Sequence, residues 1–108
     1  MSDQKLLGLL GIAAKAGKLA SGEFSAEAAL KARKGKLTIV AEDASEAMKK
    51  KFRDHCEHVR CPILVFGSKR EIAHAIGKEE RSCIVVLDQG LATAIGRSAE
   101  RITDNRGE

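Results

Sequence analysis

The chain has 108 residues, 44 % of them hydrophobic and 31 % charged, with a formal net charge of +4. That length suits one domain and leaves no room for a second, and the apolar content excludes a disordered chain. No run reaches the roughly 18–20 apolar residues that a membrane-spanning helix requires, so no membrane partner is expected.

The N-terminal run Leu6-Leu7-Gly8-Leu9-Leu10-Gly11-Ile12-Ala13-Ala14, preceded by Lys5, looks slightly like a signal peptide. Leu6, Leu10 and Ala14 recur at helical spacing and stop at Gly17, so a first helix of the domain is the better reading. Lys18–Ser21 reads as a very short strand. The alanine-rich stretch Gly22–Lys34 predicts a second helix, with Gly35 where it would stop. Leu37-Thr38-Ile39-Val40-Ala41 is an almost wholly apolar run, of the kind found in strands covered on both faces. Asp43 followed by Glu46 resembles a capping box. It would open a third helix on the stripe Ala44, Met48, Phe52, Cys56 and Val59, with Lys49, Lys50 and Lys51 mostly in water. Pro62 ends that helix and opens the strand Ile63–Phe66. Ser68 and Glu71 form a second capping box, for a helix through Ile72 and Ile76 to Gly77. The strand Ser82–Leu87 follows, then a last helix on Leu91, Ile95, Ala99 and Ile102. Residues 1–102 are expected to be the domain, and 103–108 a flexible polar tail. Buried strands separated by helices predict an α/β/α sandwich with a mostly parallel sheet of about four strands.

Chemistry is poorly supported. Between Gly11 and Lys18 the spacing fails the phosphate-loop pattern: Ile12 stands where its first glycine belongs and Leu19 where its magnesium-binding hydroxyl belongs. His55, Cys56, His58 and Cys61 are four potential metal ligands within seven residues, but on one helix end their side chains diverge. Cys56 also occupies the apolar stripe and Cys83 precedes a buried strand, as inert thiols in a reducing, cytoplasmic setting do. No nucleophile elbow or carboxylate pair stands out. The expectation is a protein without catalysis, metal or cofactor.

Between Lys15 and Lys36 six basic residues, Lys15, Lys18, Lys31, Arg33, Lys34 and Lys36, face only Glu23 and Glu27. Such a field attracts phosphate, although a solvated helix face would look the same. With three Phe and no Tyr or Trp, a platform for stacking unpaired bases is not expected. Phe52 and Phe66 fall on core positions, and Phe24 reads as a core side chain with stacking as the alternative.

Several segments, in order, resemble the L-seven-Ae family of kink-turn RNA-binding proteins, closest to its small bacterial YlxQ-type branch. They are Leu9–Ala13, Ala16–Leu19, Ser21-Gly22-Glu23, Lys36-Leu37, Ala41–Ser45, Gly77–Arg81 and Asp88-Gln89-Gly90. The resemblance implies that the start of the second helix enters the groove of a sharply bent RNA, while the loop before the last strand supports the kink. The implied contacts are Ser21, Gly22, Glu23, Phe24 and Ser25 at the helix start, and Gly77, Lys78, Glu79, Glu80 and Arg81 in the loop. In the family pattern Gly-x-Asn-Glu-x-x-Lys, Gly22 matches, but Phe24, Ser25 and Ala28 stand at the Asn, Glu and Lys positions. Lys15, Lys18, Lys31, Lys34 and Lys36 are expected to hold phosphates from one ridge beside that helix start. The expected partner is structured RNA, ribosomal RNA included, bound by a cytoplasmic monomer. A protein–protein module of the same fold is the alternative.

Overall fold

The computed structural model describes the backbone of residues 2–106 and the side chains of residues 4–100. Five helices and four strands alternate: α1 (Ser2–Lys15), β1 (Leu19–Ser21), α2 (Glu23–Lys31), β2 (Leu37–Val40), α3 (Glu46–Val59), β3 (Ile63–Val65), α4 (Lys69–Ile76), β4 (Cys83–Val86) and α5 (Gln89–Arg106). Helix α5 thus runs four residues past 102; residues 107–108 and the side chain of Ile102 lie outside the described residues.

The strands form one sheet in the order β1-β4-β2-β3. The expected mostly parallel sheet is corrected to a mixed one. Only β2 and β3 run parallel, because β4 lies between β1 and β2 and is antiparallel to both. The apolar runs reported coverage rather than direction. Central β2 and β4 are buried at every position, whereas edge strands β1 and β3 are only partly buried. Helices α2 and α3 pack together over one face, and α1 packs against α4 and α5 over the other. Between these layers lie fully buried Leu6, Leu10, Leu30, Ile39, Phe52, Ile72, Ile84 and Ile95.

Local signals explain the helix ends. Ser68 and Glu71 make the reciprocal capping box of α4, and Gly77 closes it in the left-handed region at φ 71°. Helix α3 starts two residues later than Asp43 suggested: Ser45 is its cap and accepts from Met48 N at 3.1 Å. Asp43 Oδ1 instead accepts from Lys69 N at 2.9 Å, tying the β2–α3 loop to α4. Helix α2 stops before Gly35: it ends at Lys31, Ala32 caps it, and Arg33 follows in the left-handed region at φ 58°. Gly35 serves packing: a Cβ there would meet Val85 Cγ1 at 2.8 Å and Leu30 Cδ2 at 3.0 Å. The expected Lys49–Lys51 run is not simply solvated, since all three lysines pair with acids.

Candidate nucleic-acid interface

Strand β1 and the start of β4 bring two loops together at one end of the sheet. Gly22 N donates to Cys83 O at 3.0 Å, next to the paired Ser21 and Ile84. Gly22 is the N-cap of α2 at φ 91° and ψ 159°, a backbone state that L side chains rarely adopt. No side chain caps the helix, so its first amides point outward at the positive end of the helix dipole.

Beside it lies a cleft of about 370 Å³, lined by Ser21, Gly22, Glu23, Phe24, Ser25, Met48, Glu80, Arg81 and Ser82. The Arg81 side chain lies over Gly22; a Cβ on Gly22 would sit 3.8 Å from its Cδ and Nε. Arg81 Nη1 donates to the carbonyls of Glu79 and Glu80, both at 3.1 Å, which folds the loop around the guanidinium. The remaining N–H groups of that fork stay available for an anion or a base edge.

Phe24 is 85 % exposed, which corrects the core reading. The buried face of α2 is Ala26, Ala29 and Leu30. Phe24, Ala28 and Lys31 lie on the opposite stripe, all exposed. Glu23, in contrast, is already engaged: Lys51 Nζ lies 2.6 Å from its carboxylate and 2.7 Å from that of Glu27. His55 Nε2 adds a contact to Glu27 at 3.4 Å. Hydrogen bonding to both acids raises the Lys51 pKa to about 12, and the bond from Lys51 lowers that of Glu27. This cluster joins α2 to α3 and engages Glu23 and Lys51 with each other at the edge of the cleft.

The expected ridge of lysines divides into groups. Lys15, Gly77 and Lys78 share a second cleft with Gly11 and His74, and a third connects Lys78 to Ser21 and Ser25. These residues continue the surface begun by Phe24 and Arg81. Lys18, Lys34 and Lys36 do not. Leu87 N donates to Lys18 O and Lys36 N to Val86 O, both at 2.8 Å, at the far end of β4 from Cys83. Three strand residues separate Lys18 from Gly22, about 13 Å of chain at ~3.3 Å per residue. Lys31 sits in the last turn of α2, about 12 Å along the axis from Glu23 at ~1.5 Å per residue.

Met48 and Ser82 line the first cleft without any warning in the sequence, where Met48 read simply as part of the α3 core stripe. The His55–Cys61 segment shows no convergence; among the described residues no three His, Cys, Asp or Glu side chains could hold a metal ion. All three cysteines are free and buried. Burial, with the nearby Glu23 and Glu27 charges, pushes the Cys83 thiol up to about 12, so it stays protonated near neutral pH.

Residues 4–96 match the model of the family described as ribosomal protein L7Ae/L30e/S12e/Gadd45. The chain is 39 % identical to RNA-binding protein YlxQ of Enterococcus faecium over 89 residues, covering 82 % of this chain and 85 % of that protein. It is 35 % identical to RNA-binding protein YlxQ of Bacillus subtilis (strain 168) over 95 residues, covering 88 % and 95 %. Among solved structures, a Bacillus halodurans protein of unknown function superposes with a TM-score of 0.86 at 35 % identity, covering 89 % of this chain and 97 % of that one. The 15.5 kD RNA binding protein of Giardia lamblia shares the fold, with a TM-score of 0.77 at 19 % identity and coverage of 95 % and 88 %.

Proposed function

Because the chain belongs to the ribosomal protein L7Ae/L30e/S12e/Gadd45 family, as a bacterial YlxQ-type member, we propose that it is a non-enzymatic RNA-binding protein that grips a sharply bent RNA at the start of α2. The observation that carries this reading is the meeting of three features over one cleft: the uncapped α2 N-terminus behind Gly22, the exposed Phe24 ring, and the Arg81 fork. Each has a separate task. Helix amides and dipole favour a phosphate, Arg81 supplies a charged planar donor, and Phe24 offers a face for an unpaired base.

Phe24 also changes how the RNA is read. An amide side chain at that position would pair with a purine edge, whereas a phenyl ring can only stack. Ser25 keeps one hydroxyl for hydrogen bonding, and Ala28 offers none. Recognition of the bend, by shape and an unstacked base, therefore replaces most direct reading of base edges. Lys15 and Lys78 extend the cationic track along the flanking stem, and Glu79 and Glu80 shape the loop that carries Arg81. We assign the protein as a cytoplasmic monomer, with ribosomal RNA as a candidate ligand. Its free thiols suit that setting, and among the described residues no helix is long and apolar enough to cross a membrane.

The exposed Phe24 favours one other reading, a protein partner anchored on the ring. Fluorescence anisotropy separates the two. A labelled RNA with a bulge followed by sheared G·A pairs should bind at least about tenfold tighter, ~1.4 kcal/mol, than a straight duplex of the same composition. Equal affinities would contradict recognition of the bend, and no binding to either RNA would leave the protein-partner reading.

A further inference from the structure

We infer that the opposite end of the sheet is a second phosphate-binding surface, indifferent to sequence, that holds the backbone of an RNA duplex. Its cations are Lys18, Arg33, Lys34, Lys36 and Arg60. All five are exposed, and among the described residues none of them makes an ion pair.

The fold, more than the sequence, assembles this group. Lys18 and Lys36 flank the last residues of β4 through the backbone bonds to Leu87 and Val86. Arg33 and Lys34 lead into Lys36 through the tight α2–β2 turn. Arg60 arrives from α3: Thr38 N donates to Pro62 O, and the Cβ position of Gly35 lies 3.5 Å from Cys61 Sγ. From β1 to β3 the row spans three strand spacings, about 14 Å at ~4.8 Å each, long enough to follow several phosphates of one strand.

Helix C-termini attract cations, and that accounts for part of the group at the ends of α2 and α3. It does not account for Lys36, which leads into a strand. Nor does it explain why an arginine stands at φ 58° just past each helix, Arg33 after the Ala32 cap of α2 and Arg60 as the cap of α3, in the left-handed region that glycine fills without strain. Two acids stand nearby, Asp88, whose carboxylate accepts from Leu91 N at 2.9 Å at the start of α5, and Glu57 in the last turn of α3, and the five cations outnumber them.

Chemistry selects the occupant. Among the described residues the exposed large apolar side chains are Ile12, Phe24 and Val65. Phe24 and Val65 lie at the other end of the sheet, and Ile12, on α1 upstream of Lys18, stands singly, too little for the apolar centre of a protein interface or for insertion into a membrane. It carries no aromatic ring for stacking single-stranded bases. Point charges on a row without rings fit a duplex backbone. A protein gripping a bend at one end and a straight helix at the other would hold two RNA segments on opposite sides of itself.

The test uses a straight RNA duplex without a bulge, titrated at several salt concentrations. Lys34→Glu with Lys36→Glu should weaken duplex binding at least about tenfold, and the slope of log K against log salt should become shallower by about one to two. Lys34→Gln with Lys36→Gln should give a smaller loss in the same direction, and circular dichroism should show both variants folded. Affinity and slope unchanged by charge reversal would overturn the inference. So would an equal loss of duplex binding in Arg81→Ala, which would place the duplex at the cleft, or a charge-reversal loss confined to phosphatidylglycerol vesicles. A bulged RNA assayed in parallel reports on the cleft separately, so failure at one end is distinguishable from failure at the other.

Discussion

Phe24→Ala is expected to weaken binding to a bulged, bent RNA by roughly 5- to 150-fold, the ~1–3 kcal/mol that stacking one base on an aromatic ring contributes. Stability should stay within about 0.5 kcal/mol of the parent, because the ring is 85 % exposed and its removal leaves no cavity. The straight duplex, which presents no unpaired base, should bind the variant and the parent alike. This pattern separates a stacking residue from its competitors. A core role would appear as a lower melting temperature, and a protein-anchoring role as unchanged RNA affinity. Phe24→Trp should retain or strengthen RNA binding, since the larger ring widens the stacking face.

The second large effect concerns the fold. Phe52→Ala is expected to destabilise the protein by about 3–5 kcal/mol through lost burial and the cavity left behind. Phe52 is fully buried, one turn after Met48 on α3, and it seats that helix on the sheet face shared with α2. In a domain whose total stability is on the order of 5–15 kcal/mol, such a loss moves the melting temperature by more than about 10 °C. The cleft depends on this seating. Met48 forms one of its walls, and Lys51 beside Phe52 ties α3 to Glu23 and Glu27 of α2. Thermal unfolding followed by circular dichroism checks the prediction, and a shift of only a few degrees would show that α3 is held elsewhere.

What could be read from the sequence follows from the range of each signal. Gly17, Pro62 and the Ser68–Glu71 pair act within a few residues of themselves, and the element boundaries they imply match the structure closely. Strand direction has no such local marker. The runs Leu37–Val40 and Cys83–Val86 are apolar because helices cover both faces of central strands, whichever way these run. The facing of α2 was obscured by its composition. Ala26, Ala28, Ala29 and Ala32 give almost no apolar contrast, so Leu30 alone marked the buried stripe and Phe24 could be assigned to either side. The basic residues misled for a different reason. Nearness in sequence between Lys18 and Gly22 became distance in space, because β1 carries the chain along the sheet between them. Arg81 was legible only through the family resemblance, and nothing local identified Met48 or Ser82 as its neighbours across the cleft.

RNA is proposed to seat at the start of α2 against the loop ending in Arg81. Titrating isotopically labelled protein with unlabelled bulged RNA tests it most directly, by following backbone amide resonances. The largest changes should fall on Gly22, Phe24, Ser25, Arg81 and Ser82. Changes centred on other surfaces, with those five amides unmoved at saturation, would contradict it.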